Sequence, residues 1–319
     1  MKLHRFLRPL LAATLLGAAV TAQAQLSMML PANPGGGWDS TGRQSMQAMN
    51  EAGIYTGTVS FTNKGGAGGT IGLADFQRSQ KGKADALAVF GAITVGSIAM
   101  NKSPIDLSKF RPVARLTAEY VVLAVKADSP YENLDDFVQA MKANPGAMPV
   151  GGGSAGGTDH IALALLAQQG QVPVKALNYI PQAGGADTVT SIVNGTLKAG
   201  ISGASEFQQF ADSGRIRILA ISSDKRMRGL EQVPTFTEAG YKVEIANWRG
   251  ILGSVDMPEE NYQLWIDHFT KLSEAPQWKA TQERLGWEPY FLAGDKFGDF
   301  IKAETERTTT ILQDAGLIQ

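Results

Sequence analysis

Three glycine-rich loops are the part of this sequence best suited to chemistry. They read Pro-Ala-Asn-Pro-Gly-Gly-Gly-Trp-Asp at 31–39, Asn-Lys-Gly-Gly-Ala-Gly-Gly at 63–69 and Gly-Gly-Gly-Ser-Ala-Gly-Gly at 151–157. Each follows a short apolar run and precedes a stretch of helical character, so it would present free backbone N–H groups beside the positive end of a helix. Glycine allows the sharp turn and places no Cβ in the way of a ligand. Three such loops predict a site that captures a small anion.

The third loop also matches a hydrolase motif. Residues 152–156 fit the Gly-x-Ser-x-Gly nucleophile elbow, which would make Ser154 a nucleophile. A hydrolase needs a base, normally a histidine, and beyond residue 24 the sequence holds only His160 and His268. His160 follows the serine at the start of the same helix, where it is poorly placed to take a proton from it. A secreted serine hydrolase that uses Ser154 is therefore the weaker alternative.

The sequence does not complete any of the nucleotide-binding motifs that its glycine loops suggest, nor a metal-binding motif. Gly-x-Gly-x-x-Gly at 151–156 would need an acidic residue about 20 positions on, and none lies near Asn178. No glycine loop ends in the Gly-Lys-Ser/Thr of a phosphate-binding loop. The chain has no cysteine and few histidines, so it lacks the usual ligands of a zinc site. We expect no catalytic residue, no cofactor and no metal.

The first 24 residues have the layout of a secretory signal peptide. Lys2, Arg5 and Arg8 form the basic region, residues 9–20 are almost wholly apolar, and Ala-Gln-Ala at 22–24 is a small-residue cleavage site. The apolar run is shorter than the ~20 residues that a membrane span needs, and no cysteine offers a lipid attachment point. These features predict a free, monomeric protein in the periplasm.

The charge balance excludes one class of partner. The formal net charge of the chain is −1, and loss of the signal peptide with its three cations would leave about −4. Nucleic acid is therefore not an expected partner, because it binds proteins through an excess of positive charge. A small anion remains compatible, since backbone N–H dipoles rather than net charge can bind it.

Short apolar strands alternate with helices along the chain. The first series predicts strands at 26–30, 58–62 and 87–90, and helices at 39–49, 70–78 and 94–100. Extended runs follow at 111–116 and 120–125, and then a helix that Ser129-Pro130 opens and Lys142 ends. The second series predicts strands at 148–150, 175–179, 197–201 and 215–222, and helices at 158–168 and 186–194. The chain closes with a strand at 250–253 and helices at 259–272, 277–285 and 296–313. This order predicts largely parallel sheets, in which ligands sit at the carboxyl ends of the strands.

The two series predict an α/β fold of two similar lobes, each a mostly parallel sheet flanked by helices. Residues 25–119 and 248–319 would form the first lobe, and residues 120–247, inserted in it, the second. Two crossover segments would then join the lobes across a cleft, a geometry that suits hinge closure around a ligand. A single large doubly wound sheet is the alternative.

Five segments, in order, resemble the solute-binding proteins of tripartite tricarboxylate transporters, the Bug-type family. They are 31–43, 63–72, 151–160, Tyr-Ile-Pro-Gln-Ala-Gly-Gly at 179–185 and Asn-Trp-Arg-Gly-Ile at 247–251. The resemblance covers nearly the whole chain after residue 24. It implies a Venus-flytrap fold, a periplasmic location and delivery of a carboxylate to the large and small permease subunits. The first loop resembles the tricarboxylate-binding branch, which implies a citrate-like ligand. A dicarboxylate, an acidic amino acid or an aromatic acid is the alternative.

In that family the carboxylate is held by backbone amides and bridging waters from loops of both lobes. The resemblance and the glycine loops together place one set of residues at the ligand: Gly36, Gly37, Trp38, Asp39, Gly66, Ala67, Gly68, Ala92, Thr94, Ser154, Ala155, Gly156, Thr158, Gln182, Ala183, Gly184 and Ser205.

Three side chains in or just after the first loop have a structural role as the alternative to ligand contact. A helix N-cap is favoured for Asp39, because its carboxylate would repel an anionic ligand. Arg43 lies one turn further on, where it would either reach an anion or pair with Asp39. Trp38 would either wall the pocket or pack in the core.

Overall fold

A computed structural model describes residues 25–319, and the predicted signal peptide lies outside them. The ten strands in this range are β1 (Leu26–Leu30), β2 (Val59–Asn63), β3 (Ala86–Gly91), β4 (Arg111–Lys126), β5 (Val150–Gly152), β6 (Tyr179–Pro181), β7 (Ala199–Gly203), β8 (Ile216–Ile221), β9 (Ala246–Gly253) and β10 (Glu288–Ala293). The ten α-helices in this range are α1 (Gly37–Glu51), α2 (Thr70–Ser79), α3 (Ala92–Met100), α4 (Leu134–Ala143), α5 (Thr158–Gln169), α6 (Gly185–Val193), α7 (Ala204–Asp212), α8 (Glu259–Glu274), α9 (Pro276–Leu285) and α10 (Gly294–Asp314).

The strands form two half-sheets that share β4. In the first lobe, β2, β1 and β3 are parallel, and β9 joins β3 to β4 in antiparallel pairing. In the second lobe, β6, β5 and β7 are parallel, and β7 pairs with β4 in the antiparallel sense. The predicted α/β fold of two lobes, each a sheet flanked by helices, is confirmed. Each half-sheet is mixed rather than mostly parallel, because β9 and β10 pair with β4, and β7 and β8 pair with β4, in the antiparallel sense. The alternative of one doubly wound sheet is wrong, because the parallel strands fall into two separate groups, β2-β1-β3 and β6-β5-β7, which only β4 and its antiparallel neighbours connect.

β4 is the main connection between the lobes. Residues 111–120 pair with β9 in the first half-sheet, and residues 121–126 pair with β7 and β8 in the second. The sequence suggested two separate extended runs here. In the structure the two runs form one continuous strand. Its ladder with β9 contains register shifts near Pro112 and Arg115.

Apolar cores lie on both faces of each half-sheet. Leu87, Ile251 and Trp265 belong to the core under α1 and α8 in the first lobe, whereas Leu123 and Phe137 belong to a core of the second. The last turns of α10 reach this second core, where Leu312 is fully buried. The proposed lobe bounds at 119/120 and 247/248 stay a prediction.

The sequence analysis did not predict two of the observed elements, α7 and β10. Helix α7 places Ala204, Phe207, Phe210 and Ala211 at helical spacing against one core, a short pattern that the sequence analysis did not use. Strand β10 pairs with β4 although Pro289 lies within it, which is tolerated because β10 is an edge strand.

Several boundaries also differ, among them the start of β9, which is Ala246 rather than residue 250. Helix α4 begins at Leu134, because Asn133 forms a capping box with Asp136, and not at Ser129-Pro130. The predicted strand at 175–179 is a 3-10 turn followed by β6.

None of the helices within 25–319 has both the length and the apolar character to cross a membrane.

Candidate functional site

A cavity of about 600 Å³ lies between the lobes, at the carboxyl ends of β1, β2, β5, β6 and β7. We call it the inter-lobe cavity. Ten of the predicted site residues line it: Gly36, Gly37, Trp38, Gly66, Ala67, Gly68, Ser154, Gln182, Ala183 and Gly184. The glycine loops therefore come together where the sheet topology predicts. Trp38 combines both of its alternatives, since it lines the cavity and packs in the first-lobe core.

The other predicted residues are not part of the cavity wall: Asp39, Ala92, Thr94, Ala155, Gly156, Thr158 and Ser205. Ala92 and Thr94 are buried in the first turn of α3. Thr158 donates a hydrogen bond to Asp159, and Gly156 lies against Gly96 and Met100. Ser205 lines an adjoining cavity of about 750 Å³.

Asp39 is not the N-cap of α1, which is Gly36. It is the third residue of the helix, and its carboxylate reaches back to accept the Gly35 N–H at 2.9 Å. Burial raises the pKa of Asp39, but hydrogen bonds from Gly35, Asn63 and Arg43 outweigh it and hold the pKa below its ordinary value. The ionised carboxylate thus fixes the first loop rather than facing a ligand.

Arg43 pairs with Asp39, the structural alternative to contact with an anion. Its Nε donates to Asp39 at 2.8 Å and its Nη2 donates to Asn63 at 3.0 Å. The side chain is about two-fifths exposed, and Arg43 is absent from the cavity wall. This guanidinium therefore braces the loop from outside the site.

Backbone N–H groups reach the cavity from both lobes. Helix α1 begins at Gly37 and helix α6 at Gly185, and both residues line the cavity. The first N–H groups of a helix have no intrahelical partner and lie at its positive end. Each lobe thus presents one helix start to the same enclosed space, which is an arrangement suited to an anion.

The second glycine loop is shaped by left-handed backbone. Gly66 and Gly68 have φ angles of 114° and 62°, which L-residues with a side chain rarely adopt. A Cβ on Gly68 would lie 1.9 Å from Ser97 Oγ. Glycine is therefore required at these positions by the backbone conformation and, at position 68, by the packing against Ser97.

The floor of the cavity is polar and was missed by the sequence analysis. Glu119 on β4 lies opposite Asn247 on β9, and Thr117 lies opposite Arg249. Because side chains alternate along a strand, Glu119, Asn247 and Arg249 share one face of the ladder, and all three line the cavity. The signal was present, since buried charged residues inside apolar strands need a specific reason to be there.

Glu119 and Arg249 form a buried ion pair. Arg249 Nη2 donates to Glu119 Oε2, and the two side chains are 7% and 3% exposed. Glu119 Oε1 also accepts from the backbone N–H and the hydroxyl of Ser205 at the start of α7. Arg249 is the single Lys or Arg among the described residues that line the inter-lobe cavity.

Asp159 on the second lobe corresponds in position to Asp39 on the first, since each carboxylate accepts a backbone N–H from the glycine loop that precedes its helix. It lies in the first turn of α5, and its Oδ2 accepts the Gly153 N–H at 2.7 Å. Burial raises the pKa of Asp159 to about 7, and the charges of Glu206 and Glu119 add to the shift. Near neutral pH this carboxyl is therefore partly protonated, which limits its repulsion of an anion in the cavity it lines.

The histidine nearest to Ser154 in the sequence is engaged in other contacts. Ser154 lines the cavity, but the Nδ1 of His160 accepts the Gly156 N–H at 3.1 Å and its ring stacks on Tyr179. Burial lowers the pKa of His160 to about 4. His268 lies on α8, against Tyr55 and Trp265. Within 25–319 no group of three or more histidine or acidic side chains is placed to hold a metal ion.

Comparison with known proteins agrees with this geometry. The tripartite tricarboxylate transporter family receptor pattern matches residues 43–317. The chain belongs to this family. Its members are solute-binding receptors, and the resemblance seen in the five segments is confirmed.

Individual relatives extend over almost the whole receptor. The protein BugT of Bordetella pertussis is 26% identical over 301 residues, which cover 91% of this chain and 89% of BugT. A TctC solute-binding protein from Polaromonas is 26% identical, with a TM-score of 0.70 over 91% of this chain and 98% of its own. MatC from Rhodopseudomonas palustris, solved with bound malate, shares the fold at 19% identity and a TM-score of 0.79, over 90% of the receptor and 98% of MatC.

Proposed function

We propose that this receptor captures a citrate-like tricarboxylate in the periplasm. It would then deliver the ligand to the large and small membrane subunits of a tripartite tricarboxylate transporter. The observation that carries the proposal is that the starts of α1 and α6, one from each lobe, line the same 600 Å³ cavity. An anion between them draws on N–H groups from both sides, so its binding favours the closed arrangement of the lobes.

The periplasmic location follows from two supports. The first 24 residues have the signal-peptide pattern, and the family pattern names a transporter receptor. A receptor that is free rather than anchored can meet its solute and then dock on membrane subunits. We take the protein to act as a monomer.

A dicarboxylate or an amino acid is the second candidate ligand. A dicarboxylate is favoured by MatC, which carries malate in the same fold. An acidic amino acid is favoured by Glu206 and Asp187, which line the second-lobe wall and would attract an ammonium group. An aromatic acid would use the same backbone N–H groups.

A thermal-shift screen followed by calorimetry tests the proposal. The ligands are citrate, isocitrate, tricarballylate, malate and glutamate, and a ligand that binds only the folded state raises Tm by mass action. We expect a tricarboxylate to bind with Kd of about 1 μM, or about −8 kcal/mol. Tighter binding of malate or glutamate would replace the tricarboxylate by that class. No shift with any of the five ligands would reject the proposed capture of a tricarboxylate.

A further inference from the structure

Backbone N–H groups that bind one carboxylate do not distinguish ligands by the number of their other carboxylates. The starts of α1 and α6 offer two such positions in the inter-lobe cavity. A dicarboxylate satisfies both, so they do not explain a preference for a third carboxylate. A group of another kind must supply that preference, and Arg249 is the one cationic side chain among the described residues of the cavity wall.

The guanidinium of Arg249 lies beside the start of α1. A Cβ on Gly37, at the start of α1, would lie 2.7 Å from Arg249 Nη2. The guanidinium therefore sits directly against the positive end of this helix. The ring of Trp287 is a second neighbour, with its centroid 5.2 Å from Arg249 Cζ. Contacts with the start of α1 and with Trp287 hold the guanidinium where Arg249 lines both the inter-lobe cavity and the adjoining one.

Glu119 holds Arg249 without using up its hydrogen-bonding capacity. One guanidinium nitrogen, Nη2, donates to Glu119, whereas a guanidinium has five N–H donors. The Glu119 carboxylate also accepts two hydrogen bonds from Ser205 at the start of α7. Its negative charge is thus shared with the second lobe, and Arg249 keeps N–H groups for another anion.

We propose that Arg249 binds the carboxylate that distinguishes a tricarboxylate from a dicarboxylate, and that Glu119 is its positioning residue. This inference rests on the proposed function, since it assumes a carboxylate in the inter-lobe cavity. Arginine suits the role because its planar fork matches both oxygens of a carboxylate, which lysine cannot do. The same contact links the ligand through Glu119 to α7, and so to the second lobe.

A matched pair of ligands isolates the third carboxylate. Tricarballylate is glutarate with one additional carboxylate on its central carbon, and citrate bears the same relation to 3-hydroxyglutarate. Calorimetry gives the affinity of each ligand for the wild type and for Arg249→Gln, Arg249→Lys and Arg43→Gln. Arg43→Gln is the control, because Arg43 carries the same charge outside the cavity.

We expect the wild type to prefer tricarballylate over glutarate by at least tenfold. Arg249→Gln should remove most of this preference and change glutarate binding less than threefold. Arg249→Lys should restore part of it, and Arg43→Gln should preserve it. An equal loss for both ligands in Arg249→Gln, with the preference intact, would show a structural role only and overturn the proposal. So would a wild type that binds glutarate as tightly as tricarballylate.

Removal of Arg249 alone leaves the buried Glu119 without its cation, which can impair folding. The double variant Arg249→Gln/Glu119→Gln removes both charges, and glutamine keeps the shape of Glu119. It should fold, as judged by circular dichroism, and should show the same lost preference. Retention of the preference in a folded double variant would overturn the role of Arg249. Absence of any carboxylate binding in the wild type would instead reject the proposed function.

Discussion

Gly96 and Gly156 meet backbone to backbone where the two lobes touch. A Cβ on Gly96, in α3 of the first lobe, would lie 1.8 Å from the carbonyl oxygen of Gly156, which precedes α5 of the second. No side-chain rearrangement can relieve such a contact, because the obstacle is main chain. The arrangement of the lobes in this structure therefore requires glycine at position 96.

Replacement of Gly96 by alanine should hold the lobes apart. Both lobes keep their cores, so we expect little change in Tm but at least a tenfold loss of ligand affinity, about 1.4 kcal/mol. Calorimetry measures the affinity, and small-angle scattering measures whether the ligand still compacts the protein. Gly146→Ala is the control, since a Cβ there meets nothing within 4 Å. Unchanged affinity and compaction in Gly96→Ala would contradict this account.

Gly37→Val should abolish ligand binding, and Arg43→Gln should weaken it far less. The valine side chain would enter the space of the Arg249 guanidinium at the start of α1, whereas Arg43 braces the loop outside the cavity. Loss of the Arg43–Asp39 pair should cost roughly 0.2–1 kcal/mol of stability. Titration of both folded variants with the best ligand gives the order. The reverse order would mean that Arg43, and not the helix start, holds the anion.

Asp159→Asn should change how stability depends on pH. The pKa of Asp159 rises from 3.8 to about 7 on folding, so the folded state retains a proton that the unfolded state releases. The stability from this group is complete below about pH 4 and is lost as pH rises through about 7. Urea unfolding between pH 4 and 8 should therefore show a decline in the wild type relative to Asp159→Asn. Parallel pH curves for the two proteins would exclude the raised pKa.

Ser154→Ala should weaken ligand binding modestly and remove no hydrolytic activity. We expect neither histidine to act as a base, because His160 Nδ1 accepts a backbone N–H and His268, on α8, packs against Tyr55 and Trp265. One lost hydrogen bond to a charged ligand is worth roughly 1.5–3 kcal/mol. Calorimetry and a p-nitrophenyl acetate assay provide the readouts. Esterase activity that is present in the wild type and absent in Ser154→Ala would instead support the serine hydrolase.

Local patterns in the sequence determined most of the elements and their order. Strand β1 was predicted at its observed bounds, and α2, α5 and α9 within about one residue, because apolar periodicity and glycine breaks act over a few positions. The alternation of these elements then set the fold class. It also set the edge of the sheet where Gly37, Gly66 and Gly184 converge, since parallel strands bring their carboxyl ends together.

Only the tertiary structure decided the charged floor and the exact roles of the loop side chains. Glu119 and Arg249 are 130 residues apart in the chain, and their contact follows from the β4–β9 register, which no local pattern encodes. Asp39 illustrates the same limit at short range. Its residue type indicated a cap, but the actual N-cap depends on where the helix begins, and α1 begins at Gly37. Local sequence fixes elements, whereas the partners of a buried charge depend on long-range packing.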